Sequence, residues 1–155
     1  MGKEEIMSRY CLLYLAIMMV GCSESFSSQT RVTGGRLLIC PDSPNCVSSQ
    51  SDDPRHAIAP LRYEGTAEKG KALLIEAVLG MKRSHIVISE EAYLHAEFTS
   101  AFFRFVDDVE FLLDDGKKLI HVRSVSRVGY SDFGVNRKRV EEICTRFDAL
   151  NKEGS

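Results

Sequence analysis

The chain has 155 residues, of which 44% are hydrophobic and 27% are charged, enough apolar material for one hydrophobic core. Its formal net charge is -2 at pH 7, so no overall basic field exists to attract the phosphates of nucleic acids. The length leaves no room for a second domain of ordinary size, and the charge argues against nucleic acid as a partner.

The first residues have the pattern of an export signal. An apolar run from Tyr10 to Val20 is too short to span roughly 30 Å of hydrocarbon as a helix, but it is typical of a signal-peptide core. The run ends in Met-Val-Gly-Cys, which resembles a bacterial lipobox, with Cys22 as the lipidated residue. We therefore expect a lipoprotein signal peptide over residues 1–21, with an uncleaved membrane anchor as the alternative.

Several acyl chains on Cys22 would hold the protein stably at a membrane. Ser23 follows the cysteine, and a residue other than Asp at this position resembles an outer-membrane address in Gram-negative lipoproteins. Residues 22–36 have the composition of a flexible tether, and residues 37–151 form the single predicted domain. We expect a lipid-anchored protein of the bacterial cell envelope, in the outer membrane and facing the periplasm.

Two further cysteines, Cys40 and Cys46, flank a proline turn in the segment CPDSPNC. Pro44 suits the second position of a type I turn, which would bring the two cysteines together. Because an exported domain meets an oxidising compartment, we predict a disulfide. A zinc site that uses the nearby His56 and Asp52, or two free thiols, are the alternatives.

The pattern of the remaining chain predicts two helices and four strands. Thr66 is the predicted N-cap of a helix over residues 67–81, and a second amphipathic helix runs from Asn136 to about Leu150, with Cys144 on its apolar stripe. Between them, the predicted strands are residues 84–89, 93–100, 105–113 and 118–127. Short links between the strands, one of them the hairpin signal Asp-Asp-Gly, favour antiparallel neighbours. The expected fold is α+β, with two layers: a four-stranded antiparallel meander and two helices on one face.

Alternation along the strands collects polar side chains on the sheet face away from the helices. These side chains are His95, Glu97, Asp108, Glu110, His121, Arg123 and Arg127. The plain interpretation is a solvated face with weak cross-strand ion pairs. A metal site is the sharper alternative, with ligands from His95, Glu97, Asp108 and His121. We assign no metal and no other cofactor.

The segment RVGYSDFGVNRKR, residues 127–139, is predicted to be a loop that leads into the N-terminus of the second helix. Backbone N–H groups and arginines there suit an anion such as a carboxylate or a phosphate. The candidate ligand-binding residues of this region are Arg123, Arg127, Tyr130, Ser131, Asp132, Asn136 and Arg137. Asn136 also has a plain structural role as the helix N-cap. Ser131, with His121 or His95 as a base, would suit a hydrolase, although the spacing of its flanking glycines differs from a nucleophile elbow.

Several segments resemble a bacterial family known as domain of unknown function number fourteen ninety-nine. They are CPDSPNCVSSQ (40–50), residues 56–65, 93–98 and 104–114, and IHVRSVSRVGYSDFGVNRKRVE (120–141). The resemblance covers nearly the whole predicted domain and implies an exported or membrane-tethered bacterial protein. It carries no assigned reaction.

Two functions of different class follow from these patterns. The first is a non-catalytic envelope lipoprotein that binds a partner protein or an anionic small ligand. The alternative is an envelope hydrolase or a metal-dependent enzyme that uses the polar sheet face and the loop 127–139. No recognisable catalytic set is present in the sequence, so the binding function is favoured.

Overall fold

The computed structural model describes residues 31–153 and confirms an α+β fold with two helices and antiparallel sheets. The predicted signal peptide, the predicted lipidation site Cys22 and the tether up to residue 30 lie outside the described residues. Within residues 31–153, no helix is long and apolar enough to cross a membrane.

One layer of the domain is a six-stranded sheet in which every strand pair is antiparallel. Its strands are β3 (Cys46–Ser48), β4 (Leu61–Arg62), β5 (Ser84–Ser89), β6 (Tyr93–Thr99), β7 (Val106–Asp114) and β8 (Leu119–Ser126). Strands β5 to β8 pair in chain order, and both β3 and β4 pair with the other side of β8. A separate two-stranded sheet consists of β1 (Val32–Thr33) and β2 (Arg36–Leu37).

The prediction of a four-stranded meander is wrong in its number of strands, since the described residues form eight strands in two sheets. The four predicted strands correspond to β5–β8. The others are two or three residues long, too short to show the alternation that reveals a strand in a sequence. Because β1 and the first residue of β2 fall in the segment predicted as a tether, regular structure begins before the expected boundary at residue 37.

The second layer consists of α1 (Ala67–Leu79) and α2 (Val135–Glu153), which pack on the same face of the large sheet. Helix α1 begins as predicted, because the Thr66 side chain accepts a hydrogen bond from the backbone N–H of Lys69 at 3.3 Å. Gly70 lies against the ring of Tyr63, where a Cβ atom would come within 2.7 Å of ring carbons. A glycine is therefore required at this point of the helix despite its low helix propensity.

The hydrophobic core lies between the helices and the sheet, as the apolar periodicities predict. Its most deeply buried members are Leu74, Val78, Leu94, Val109, Phe111, Ile120, Val122, Val140, Ile143 and Phe147. Cys144 is half-buried at the edge of this core and is a free thiol whose pKa burial raises to about 11. It is a packing residue in this structure.

The loop before β3 is closed by a covalent bond, as predicted. The Sγ atoms of Cys40 and Cys46 lie 2.07 Å apart, the distance of a disulfide. Between them, the carbonyl of Asn45 accepts hydrogen bonds from the backbone N–H of Ser126 at 3.0 Å and from the side chain of Asn136 at 2.9 Å. The disulfide loop is thus fastened to the end of β8 and to the start of α2.

Candidate functional site

The centre of the polar face of the large sheet is buried rather than solvated. Register pairs His95 with Glu110 and Glu110 with Arg123, so these three side chains form one row across β6, β7 and β8. Their exposed fractions are 2%, 0% and 8%, and that of Asp108 in the next row is 6%. The plain interpretation of this face as an ordinary solvated surface is therefore wrong for its centre, while Glu97 and Arg127 at its rim are 28% and 41% exposed.

Glu110 is the most deeply buried charged residue of this face. Its Oε1 accepts a hydrogen bond from the Tyr93 hydroxyl at 2.9 Å, and its Oε2 accepts one from Nη1 of Arg123 at 2.7 Å. Arg31 approaches the same carboxylate at 3.5 Å. Both carboxylate oxygens are engaged, which is the condition under which a buried charge is tolerated.

Asp108 is the second centre of the polar face. Arg127 donates from Nε to Oδ2 at 2.9 Å and from Nη2 to Oδ1 at 2.8 Å, and Nε2 of His95 lies 2.6 Å from Oδ1. Arg127 also forms an ion pair with Glu97, and Arg31 lies 3.8 Å from Asp108. We call the eight side chains Arg31, Tyr93, His95, Glu97, Asp108, Glu110, Arg123 and Arg127 the buried network after its buried centre, since Arg127 at its rim is exposed and Glu97 and Arg31 are partly buried. Three arginines balance three carboxylates within it, so the network is self-neutralising.

The electrostatics of the buried network follow from this pairing. Burial by itself would raise the pKa of Asp108, but hydrogen bonds from Arg127 and His95 outweigh burial and hold this pKa well below its usual range. The same contact raises the pKa of Arg127. Burial, together with the charge of Glu110, raises the pKa of Tyr93. At neutral pH the network therefore holds ionised Asp108 and Arg127 beside a neutral tyrosine.

Three of the predicted metal ligands do come together. His95, Glu97 and Asp108 each offer one ligand atom, and these atoms lie within 4.8 Å of one another. However, Arg127 donates to both carboxylates of this group. A divalent cation would have to displace a guanidinium that forms two hydrogen bonds with Asp108, so the resting arrangement disfavours metal binding.

His121, the fourth predicted ligand, does not belong to this group. Its Nδ1 lies 3.3 Å from the Ser49 hydroxyl, and burial lowers its pKa. Ser131 and Tyr130 lie in the exposed loop after β8. The Ser131 hydroxyl accepts a hydrogen bond from the backbone N–H of Phe133 at 3.3 Å. Within residues 31–153, no histidine forms a hydrogen bond with Ser131, so the predicted serine–base pair is not assembled.

The predicted anion site at the start of α2 is occupied by the chain itself. The Asp132 carboxylate accepts from the backbone N–H groups of Gly134 at 3.0 Å and Asn136 at 2.7 Å. Asn136 is fully buried and bridges Ser124 at 2.5 Å and the carbonyl of Asn45 at 2.9 Å. Arg137 donates to the carbonyls of Ala57 and Arg55 at 2.9 and 3.1 Å. These residues fasten loops together, and Asp132 rather than Asn136 caps the helix.

A different basic surface lies on the helix side of the sheet. A groove of about 520 Å³ runs between the start of α2 and the end of β6, and we call it the basic groove. Its charged lining residues are Lys82, Arg83, Lys138, Arg139, Arg146 and Glu142. Five positive charges thus face a single carboxylate in a chain whose net charge is -2.

The arginines of the basic groove are positioned by neutral or acidic partners. Arg139 pairs with Asp107 at 2.6 Å and lies over the ring of Phe98 at 5.0 Å. The Nε of Arg83 donates to the carbonyl of Thr99 at 3.0 Å, and Arg146 pairs with Glu142 at 2.8 Å. The two lysines have no ion-pair partner in the part of the chain that the structure describes. Lys82 and Lys138 are therefore the cations most available to a ligand.

The sequence contained only some of the signals for these two regions. Tyr93 occupies an alternating position on the same strand face as His95, so it could have been included in the polar set. Arg31 lies outside the predicted domain, in the segment interpreted as a tether. Lys82 lies in the link between α1 and β5, and Lys138 lies in α2, far along the chain, so no local pattern connects the groove lysines.

These features define a class of protein: a two-layer α+β domain with a disulfide-closed loop, a self-neutralised polar sheet face and a basic groove. Residues 36–147 match the family described as "Protein of unknown function (DUF1499)". The chain belongs to this family, as the resemblance of its segments predicted. No curated protein matches the chain.

Proposed function

We propose that this protein is a lipid-anchored protein of the bacterial cell envelope whose domain is a non-catalytic binding module for an anionic ligand. The single observation that carries the binding function is the basic groove, whose lining holds five cations and one carboxylate and in which Lys82 and Lys138 have no ion-pair partner among the described residues. Lipidation at Cys22 would hold the domain at the outer membrane, facing the periplasm.

The chemistry of the groove suits carboxylate or phosphate groups. Arg83 and Arg139 offer planar guanidinium groups already held by their neighbours, and these groups lose little conformational freedom when they bind. Lys82 and Lys138 supply mobile point charges beside them. An anion that bridges the lysines and an arginine would gain charge-assisted hydrogen bonds without disturbing the core.

The buried network is less suited to ligand binding. Each of its carboxylates already accepts a hydrogen bond from an arginine, and Asp108 and Glu110 are almost inaccessible to solvent. A ligand would have to enter a buried site and replace bonds that are already made. We therefore assign the network a structural role, in which Arg31, from the segment before β1, joins the central carboxylates.

The envelope location rests on two features of the chain. The N-terminal residues have the pattern of a lipoprotein signal, and the Cys40–Cys46 disulfide agrees with an oxidising compartment. Mass spectrometry of the protein from a bacterial membrane fraction tests this assignment. A mass that lacks residues 1–21 and carries acyl chains on Cys22 supports lipidation, whereas an unmodified N-terminus contradicts it.

The binding function is tested by titrating the isotopically labelled protein with inorganic phosphate and following backbone NMR shifts. We expect shifts centred on Lys82, Arg83 and Lys138, and about a tenfold loss of affinity in a Lys82→Gln plus Lys138→Gln variant. The matched control removes two lysine charges at the β7–β8 turn through Lys117→Gln plus Lys118→Gln. Equal losses in both variants, or shifts spread over the whole surface, would overturn the assignment of the groove.

A metal-dependent enzyme is the second candidate function, because His95, Glu97 and Asp108 present ligand atoms within 4.8 Å of one another. If this cluster binds a cation, removing the guanidinium that occupies it should raise the affinity. Calorimetric titration with Zn²⁺ compares the unaltered protein with Arg127→Ala. Binding only in the variant supports Arg127 as the group that excludes metal, whereas tight binding by the unaltered protein would favour the enzyme.

A further inference from the structure

The turn between β6 and β7 presents an unusual concentration of exposed aromatic residues. Phe102, Phe103 and Phe105 are 92%, 78% and 51% exposed. The turn is closed at its base, since the backbone N–H of Ser100 donates to the carbonyl of Phe105 at 2.8 Å. The rings of Phe103 and Phe105 stack with their centroids 5.5 Å apart. A closed turn that holds phenylalanines in water is not explained by packing within the domain.

A second exposed apolar segment leaves the same end of the sheet. The loop after β8 begins beside the aromatic turn, because the backbone N–H of Arg127 donates to the carbonyl of Val106 at 3.3 Å. In this loop Tyr130 is 77% exposed and Phe133 is 91% exposed. Two neighbouring loops therefore carry solvent-exposed aromatic rings at one end of the molecule.

These rings adjoin the basic groove. Ala101, next to Phe102, and Val135, two residues beyond Phe133, both line the groove. Arg104 adds a further cation to the tip of the turn. Aromatic side chains beside a cluster of Lys and Arg are the chemistry of a surface that inserts its rings among acyl chains while its cations bind anionic headgroups.

We propose that the aromatic turn and the loop after β8 form a docking face for a phospholipid bilayer that contains anionic lipid. Phe102, Phe103 and Phe133 enter the interfacial region, and Lys82 and Lys138 bind headgroup phosphates at the groove. This docking rests on the proposed function, because it identifies the anionic ligand of the groove as a lipid headgroup. An acidic protein surface is the other partner that this chemistry would suit, and the test separates the two.

The test exploits the absence of tryptophan from the chain. A Phe102→Trp variant carries one tryptophan at the aromatic turn, and Lys117→Trp carries one at the turn on the opposite end of the sheet. Each full-length protein is combined with phosphatidylcholine vesicles, with or without phosphatidylglycerol, whose acyl chains are brominated. Bromine quenches only tryptophan that enters the hydrocarbon. The loss of fluorescence therefore reports how deeply the tryptophan inserts into the bilayer, and not merely that the protein is attached to the vesicle.

We expect a blue-shifted emission and strong quenching for Phe102→Trp in vesicles with phosphatidylglycerol, and neither effect for Lys117→Trp. Adding Lys82→Gln plus Lys138→Gln to the Phe102→Trp protein should reduce the quenching at least several-fold. Unquenched emission from position 102, or equal quenching at both positions, would overturn the docking face. If phosphate binds the groove while position 102 stays in water, docking fails and the proposed function stands. If the tryptophan at position 102 is quenched but phosphate does not bind, the anion-binding function proposed for the groove fails, whereas insertion of the aromatic turn into the bilayer stands.

Discussion

The buried network and the basic groove contain the same kinds of residue but in opposite electrostatic states. In the network, every carboxylate of Glu97, Asp108 and Glu110 meets an arginine, and most of the side chains are removed from water. In the groove, two lysines face solvent without an acidic partner in the described chain. A dense set of ionisable residues therefore does not by itself identify a functional site. The informative property is charge left uncompensated.

The network should dominate stability, because its charges cannot be left unpaired. We expect Glu110→Ala to lower the free energy of unfolding by about 3–5 kcal/mol, since it leaves Arg123 buried without its carboxylate. Urea denaturation measures the change. A Glu110→Leu plus Arg123→Met variant should recover most of the loss, because an apolar pair of similar volume removes both desolvation costs. A loss below about 1 kcal/mol in Glu110→Ala would show that solvent reaches this row of the sheet.

The pH dependence of stability should also reveal the network. The folded-state pKa of Asp108 is lowered from its ordinary 3.8, so its contribution is present above pH 3.8 and is lost as the pH falls toward the lower folded value. At neutral pH, Asp108→Asn should be about 2–3 kcal/mol less stable than the unaltered protein, and this gap should shrink below about pH 4. Urea denaturation at a series of pH values measures the gap.

Asp114→Asn is the matched control for this titration. Lys117 lowers the pKa of the Asp114 carboxyl as well, but the Lys117 side chain is 71% exposed and that of Asp114 30%, so solvent screens the pair and its effect on stability should be much smaller. If the gap between the unaltered protein and Asp108→Asn stays constant from neutral to acid pH, the ionised carboxylate is not what stabilises the fold.

The start of α2 provides a smaller test of compensated charge. Asp132 satisfies backbone N–H groups that would otherwise attract an external anion. We expect Asp132→Ala to destabilise the protein by about 1 kcal/mol, the usual cost of losing a helix cap. The same variant should show new phosphate-induced NMR shifts at Gly134 and Asn136. Ser131→Ala, one residue earlier, is the control and should change neither stability nor phosphate binding.

The sequence predicts those features of the fold that depend on residues close together in the chain, and it does not predict those that depend on distant residues. The bounds of β5 agree fully with the prediction, and α1 and α2 differ by a few residues, because these elements carry enough residues to show their period. Strands β1 to β4 were missed because two or three residues show no period. The Cys40–Cys46 pairing was predictable because the proline turn is local.

The candidate sites illustrate the same limit. Alternation placed His95, Glu97, Asp108 and Arg123 on one face, but it could not show that the centre of this face is buried. The burial of these side chains depends on segments that are distant in the sequence. One example is the segment that contains Arg31, which contacts Asp108 and Glu110. Likewise, the proposed anion loop failed as a site because Asp132, within the loop itself, satisfies the helix N-terminus.

The smallest expected effect concerns the one carboxylate of the basic groove. Glu142 pairs with Arg146 one helical turn away, and both side chains are about half exposed, so the pair should contribute no more than about 0.5 kcal/mol to stability. Glu142→Ala should therefore leave unfolding nearly unchanged, while it removes the only negative charge among the groove's charged lining residues. Phosphate affinity should rise roughly twofold, as for the loss of one screened repulsion.

Glu141→Ala is the control, because it removes an exposed carboxylate from the same helix outside the groove lining. An equal rise of phosphate affinity in this variant would mean that phosphate responds to net charge alone. A rise confined to Glu142→Ala would show that the anion binds where charge is left uncompensated.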